Sequence, residues 1–207
     1  MVSDGTTRLC SACCAMNGAA SRRDLPSTDE ARRTARTEHE DKPMNLSTYK
    51  SLVTSQFDAA FDMLEECIRV CPDAKWKGKV GKYAFWHVAY HALYCTDLYT
   101  ARSAEKWKTH PKFHPGGAAD VKGEYPTRVM TRAELLAYVA HCRKLARASI
   151  RRETSASLRA PAGFPWLSFR RAELPIYSLR HLQHHTGQLG AFLRRAKVAT
   201  KWKKDGY

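Results

Sequence analysis

The chain lacks the long apolar segments of membrane-spanning proteins and secreted precursors. No run approaches the roughly 18–20 apolar residues that a membrane-spanning helix needs. The N-terminus also has no apolar core of a signal peptide. The alternation of apolar and polar residues that marks half-buried strands is missing too. These absences predict a soluble, cytoplasmic protein of the all-α class.

The cysteine pattern and the absence of one metalloprotease motif argue against two classes of protein. The seven cysteines are an odd number at irregular positions, which is not the pattern of a disulfide framework. Cys10, Cys13 and Cys14 lie near the N-terminus without a second ligand pair at zinc-finger spacing, so we expect reduced thiols there. The H-E-x-x-H pattern of a metalloprotease is also absent.

Positive charge is distributed unevenly along the chain. The formal net charge is +15, but residues 1–43 carry seven basic and seven acidic side chains. The excess therefore lies on residues 44–207, and such a surface attracts anions. Residues 1–43 contain few large apolar side chains, so we expect a disordered tail followed by one domain at 44–207. A small anionic substrate is the expected partner. A basic helical nucleic-acid binder is a less favoured hypothesis, because no recognition motif is present.

Apolar residues recur three or four positions apart in four stretches, which predicts four helices. Thr131 and Glu134 form a T-x-x-E capping box before the third, and Pro175 lies near the start of the last. A segment rich in proline and glycine, about 103–130, separates the second and third stretches. We therefore predict a four-helix bundle with a long loop between the second and third helices. The inward residues expected on the last helix are Ile176, Leu179, Leu182, Leu189 and Leu193.

Three histidines lie close together in the run RHLQHHTGQLGAFLRR of the last helix. Residues four apart differ by about 40° in direction, so His181 and His185 project from one face. His184 diverges from His185 by about 100°, which makes His181 with His184 the less favourable pair. Gln188 lies nearly in line with His181, further along the same face.

A third ligand must come from another helix if the two histidines bind a metal. The second helix offers His87 and His91, and the third helix offers the weaker candidate His141. Three imidazoles suit a divalent ion, with zinc favoured and nickel, iron or copper possible. Such a site keeps one position open, where a water or a thiol can be activated.

Two other residues of the second helix carry reactive groups. Asp97 lies in a mostly apolar helix, so it needs a partner such as an arginine or tyrosine on a neighbouring helix. A role as general base is the alternative. Cys95 follows His91 by four residues and could approach the metal, but we expect it to pack in the core.

The run HLQHHTGQL resembles the H-x-x-x-H-R-G-Q-L signature of the DinB/YfiT-like superfamily, and FWHVAYHALYCTDLY is similar to the second-helix run of one subgroup. The resemblance covers about residues 44–197. It implies a four-helix metal-binding fold with ligands at His181 and His185 and a third from the second helix. The match favours His91 over His87 for that third ligand. Residues that the resemblance leaves as outer-sphere contacts or alternative ligands are His87, His184, Gln188 and Asp97.

The same resemblance implies classes of activity. Relatives include metal-dependent hydrolases and transferases that use low-molecular-weight thiols, and members often form homodimers. One residue departs from the signature, because Thr186 stands where relatives usually have arginine. The missing arginine weakens the inference that this protein shares a substrate with those relatives, but it does not affect the inferred metal site.

Overall fold

The computed structural model describes residues 45–115 and 128–206. The predicted tail, residues 1–43, lies outside this part of the chain, as does the middle of the predicted loop, residues 116–127. Five α-helices are described, four long and one short. They are α1 (Leu46–Val70), α2 (Phe85–Thr100), α3 (Arg132–Arg151), α4 (Ser155–Arg159) and α5 (Leu174–Arg195).

The four long helices form a bundle, which confirms the predicted all-α fold. Helix α2 packs against α3 and α5, and α1 packs against the same two helices from the opposite side. The core between them is apolar and rich in aromatic side chains, with Phe61, Phe85, Tyr90 and Tyr138 almost inaccessible to solvent. Among the described helices, none has the length and apolarity required to cross a membrane.

A small hairpin precedes α2 and was not predicted from the sequence. Strands β1 (Lys79–Val80) and β2 (Tyr83–Ala84) pair antiparallel, and Gly81 between them has a φ of 64°. Glycine adopts this left-handed conformation without steric cost. Two-residue strands are too short to produce a visible alternation of apolar and polar residues, so the apolar pattern did not indicate them.

The helix ends follow the capping signals in the sequence. The Thr131 side chain accepts from the backbone N–H of Glu134, whose carboxylate accepts from the backbone N–H of Thr131, as the capping box predicts. Asn45 caps α1 through its side chain. Pro175 lies in the first turn of α5, where the missing N–H costs nothing.

The inward face of α5 differs at one position from the prediction. Ile176 is 46% exposed, whereas Leu182, Leu189 and Leu193 are buried as expected. The buried stripe begins at Leu174 and passes through the hydroxyl residues Ser178 and Thr186. Ile176 lies two positions from the stripe, about 200° around the helix. Because Ser178 and Thr186 are not apolar, a pattern based on apolar residues did not identify this inward face.

Candidate metal centre

Helix α2 reaches solvent along a single stripe. Thirteen of its sixteen residues are buried, and the three that remain partly accessible are His91, Cys95 and Tyr99. These positions are four residues apart and therefore lie one above another on one face of the helix. This face of α2 is directed towards α5. An otherwise buried helix thus presents an imidazole, a thiol and a phenol at its accessible edge.

A matching stripe on α5 runs in the opposite direction. The ring of Tyr99 contacts that of Tyr177, with 5.3 Å between centroids, and the ring of His91 contacts that of His185 at 4.8 Å. The two helices are therefore antiparallel along this seam. The same register brings Cys95 to the level of His181, halfway between the two aromatic pairs.

Three imidazoles meet at one end of this seam. The ring centroids of His181 and His185 are 4.5 Å apart, and that of His91 is 5.1 Å from His181 and 4.8 Å from His185. The Nε2 atoms of His181 and His185 are separated by 3.2 Å. Two nitrogens bound to one tetrahedral zinc at about 2.0–2.1 Å lie about 3.3 Å apart. The spacing of this pair therefore fits a shared divalent ion.

Gln188 sets the orientation of one of these rings. Its Oε1 lies 2.9 Å from Nδ1 of His185, and because an amide oxygen only accepts, the Nδ1–H of His185 donates. The lone pair of His185 is then on Nε2, which faces His181. The amide Nε2 of Gln188 donates in turn to Nε2 of His184 at 3.1 Å. An outer contact of this kind fixes the tautomer of a metal ligand.

The other predicted histidines lie around this group. His87 is one turn before His91 on α2, where its ring contacts Tyr83 and Trp86. His184 is exposed beside His185 and bonds to Gln188, in keeping with its divergent direction. These positions favour His91 as the third donor and leave His87 as an alternative one turn away.

His141, the weaker candidate on α3, stacks with other rings. Its ring contacts Phe113, His110 and Tyr138, and burial lowers the pKa of its imidazole. The contacts with residues 110 and 113 attach the start of the long loop to α3. His141 therefore lies in a loop-anchoring cluster that the sequence did not predict.

Cys95 is a member of the candidate centre that sequence reasoning set aside. Its Sγ lies 3.8 Å from Nε2 of His91, and the donor atoms of His91, Cys95 and His181 all lie within 4.8 Å of one another. The signal was available in the sequence, because His91 and Cys95 have the same four-residue spacing as His181 and His185. The expected core packing of Cys95 is also present, because its side chain packs against the main apolar core.

The family model of the DinB superfamily matches residues 56–189, about two thirds of the chain. The chain belongs to the DinB superfamily. The matched range includes all four donors of the candidate centre together with Gln188. A comparison with curated proteins finds no match.

In this DinB-superfamily chain, Asp97 belongs to a buried network on the other side of α2. The carboxylate accepts from Nε1–H of Trp107 at 3.2 Å and from the hydroxyl of Tyr138 at 3.1 Å. His114 Nδ1 accepts from a backbone N–H, so the ring proton is on Nε2 and is donated to the Tyr138 hydroxyl at 2.8 Å. Burial raises the pKa of Tyr138 well above its usual value. The predicted pairing of Asp97 with a tyrosine on a neighbouring helix is present, and two loop residues complete the network.

The position that departs from the DinB signature faces away from the histidines. Thr186 is buried and its hydroxyl donates to the carbonyl of Leu182 at 2.8 Å. Its side chain lines a cleft of about 270 Å³, whose wall also includes Met63 of α1 and Trp202 of the C-terminal segment. The residue that departs from the signature therefore lies on the side of α5 that faces α1.

A second cleft opens beside the candidate centre. It has a volume of about 440 Å³ and is lined by Tyr177, Arg180, His181, Gln183 and His184. His181 thus belongs both to the histidine group and to the wall of this cleft. The Arg180 guanidinium supplies a positive charge at its edge.

Proposed function

We propose that this protein binds a divalent metal ion through His91, His181 and His185 and acts as a metalloenzyme on a small anionic substrate. The observation that carries the proposal is the convergence of three imidazoles from two antiparallel helices, with 3.2 Å between two of their Nε2 atoms. Zinc is the preferred ion, and nickel, iron and copper suit the same donors. Membership of the DinB superfamily supports the same assignment.

A bound divalent ion supplies Lewis acidity, which activates a water or a thiol at neutral pH. The residues of the chain hold and orient the reaction partners. Gln188 keeps His185 in the tautomer that presents Nε2 to its neighbour. Arg180 offers a guanidinium to an anionic group in the adjoining cleft, whose volume of about 440 Å³ suits a small molecule. The reaction classes that fit are metal-dependent hydrolysis and thiol-dependent transfer.

Elemental analysis of purified protein tests the metal site. We expect about one equivalent of divalent metal in the wild type and a large loss in a His181→Ala, His185→Ala double variant. A His141→Ala variant is the matched control, because His141 packs in the separate loop-anchoring cluster. Equal and substoichiometric metal in the wild type and the double variant contradicts the proposal.

The substrate part of the proposal has its own test. Replacing Arg180 by alanine should weaken binding or turnover of anionic substrates and leave metal content unchanged. Arg195→Ala is the control, since Arg195 is an exposed cation of α5 outside the cleft. If both variants behave alike across a panel of anionic and neutral substrates, the cleft is not the anion site.

A second candidate function is a non-catalytic metal-binding module. The engagement of Asp97 with Trp107 and Tyr138 favours it, because this carboxylate is committed to a buried network. A panel of hydrolysis and thiol-transfer substrates separates the two functions. Metal-dependent turnover of any of them excludes the module.

A further inference from the structure

The imidazoles of the candidate centre have a sulfur atom beside them. Cys95 Sγ lies 3.8 Å from Nε2 of His91, and His181 completes a group whose donor atoms are within 4.8 Å of one another. Each helix of the seam therefore contributes two donors four residues apart, His91 and Cys95 from α2 and His181 and His185 from α5. All four side chains are partly buried.

Within each helix, the distance between the two donor atoms is close to that of a mixed nitrogen and sulfur ligand set. With about 2.05 Å for a zinc–nitrogen bond and about 2.3 Å for a zinc–sulfur bond, tetrahedral geometry separates a sulfur and a nitrogen by about 3.6 Å. The Cys95 sulfur is 3.8 Å from the His91 nitrogen, and the two α5 nitrogens are 3.2 Å apart. Across the two helices, the donor atoms of His91, Cys95 and His181 lie within 4.8 Å of one another, so the two helices' donors would move closer by about 1 Å on binding one ion.

Cys95 also differs from the other described cysteines in its accessibility. Cys67, Cys71 and Cys142 are buried, whereas Cys95 is partly exposed on the seam. Burial raises the pKa of Cys67 to about 12 and that of Cys71 to about 11. Within the described residues, Cys95 is therefore the thiol that combines access with neighbouring nitrogen donors.

We propose that Cys95 is a fourth ligand of the metal, which makes the centre one of three imidazoles and one thiolate. This assignment rests on the proposed metal-binding function. The thiol proton passes to solvent as the sulfur–metal bond forms. With Cys95 as a fourth protein donor, the centre would activate a water or a thiol only if zinc accepted a fifth ligand or Cys95 were released. A thiolate also favours zinc or cobalt over hard ions such as magnesium.

Cobalt(II) spectroscopy tests the assignment, because a bound thiolate gives a near-ultraviolet charge-transfer band and imidazole ligands do not. The background for all proteins is the full chain with Cys10, Cys13 and Cys14 changed to serine, which removes the thiols of the N-terminal segment. Metal-free protein in this background is titrated with cobalt(II) alone and compared with its Cys95→Ala variant. Cys142→Ala is the matched control, because Cys142 is a buried helical cysteine bonded to the carbonyl of Leu93.

The expected result is a charge-transfer band in the background protein and the Cys142→Ala variant that is lost in Cys95→Ala. The visible d–d bands should persist in Cys95→Ala, with an affinity weaker by about tenfold or more. Cobalt binding with the same near-ultraviolet spectrum in Cys95→Ala overturns the fourth ligand and leaves the three-histidine site standing. Absence of any visible cobalt bands overturns the metal site itself and the Cys95 assignment with it.

A measurement without a Cys95 variant guards against loss of folding. The background protein is treated with iodoacetamide with and without one equivalent of zinc, and the modified peptides are mapped by mass spectrometry. Zinc should slow alkylation of Cys95, since a metal-bound sulfur is a poor nucleophile. Equal alkylation of Cys95 in both samples, at a zinc concentration that saturates the protein, contradicts ligation.

Discussion

Replacing Gln188 by leucine should weaken metal binding although Gln188 is not itself a proposed ligand. The side chain accepts a hydrogen bond from Nδ1–H of His185 at 2.9 Å and so keeps the lone pair of that ring on Nε2. Leucine has a similar helix propensity but cannot accept a hydrogen bond. In Gln188→Leu the ring of His185 loses the acceptor that fixes its tautomer and keeps only its contacts with the neighbouring histidine rings.

The size of the effect follows from the exposure of the contact. Loss of an outer partner of a metal-bound histidine typically weakens metal affinity by about 10–100-fold. Gln188 is exposed, so water can replace part of its hydrogen bond to His185. We therefore expect the lower end of this range, about tenfold, which corresponds to about 1.4 kcal/mol.

The assay is a zinc competition titration against a chromogenic chelator, with metal-free protein at fixed pH. Gln188→Glu keeps an acceptor for His185 and should bind zinc at least as tightly as the wild type. His184→Ala removes the other partner of the Gln188 amide and should leave the affinity nearly unchanged. The reasoning is refuted if Gln188→Leu binds like the wild type, or if His184→Ala loses as much affinity as Gln188→Leu.

Three further predictions concern stability and can be checked by chemical or thermal unfolding. Arg171→Met leaves the buried carboxylate of Glu153 without its 2.7 Å ion pair and should cost about 3–5 kcal/mol. Adding Glu153→Leu should restore only part of this cost, because the carbonyls of Ala101, Arg102 and Ala162 still lack the donor that Arg171 supplied. Tyr138→Phe removes the hydroxyl that joins two buried side chains and should cost about 1–3 kcal/mol, while unfolding at wild-type stability would contradict the network. The Arg128 hydrogen bond lowers the pKa of Glu134 to about 2 from 4.5, so the stabilisation by this carboxylate is complete above pH 4.5 and fades as pH falls towards 2. The stability difference between wild type and Glu134→Gln should shrink over that interval, and a constant difference from pH 7 to pH 2 would disprove the coupling.

The fold was largely predictable because its determinants are local. The apolar periodicity of α1 and α3, the capping box at Thr131 and the proline in the first turn of α5 each act within a few residues of the chain. The hairpin before α2 was missed because two-residue strands leave no periodic signal. Ile176 was misassigned because Thr186 and its neighbours on the buried stripe are not all apolar.

The candidate site was predictable where its geometry is helical and unpredictable where it depends on contacts between elements. The shared direction of His181 and His185 follows from the residues-per-turn of a helix. The choice between His87 and His91 needs the register of α2 against α5, which spacing within one helix does not contain. The loop residues that close on Asp97 are likewise positioned by tertiary packing.

The composition of the seam between α2 and α5 is itself an argument for function. A helix buried on every side but one could fill that side with leucine and gain stability from the apolar contact. Instead, α2 presents His91, Cys95 and Tyr99 there, opposite His181 and His185 of α5. The imidazoles and the thiol contact one another and Gln188, which offsets only part of the cost of burying polar groups. A local choice that lowers stability without serving the packing is expected at functional sites. The seam is therefore best explained by what its side chains bind, and the metal proposal accounts for all four nitrogen and sulfur donors at once.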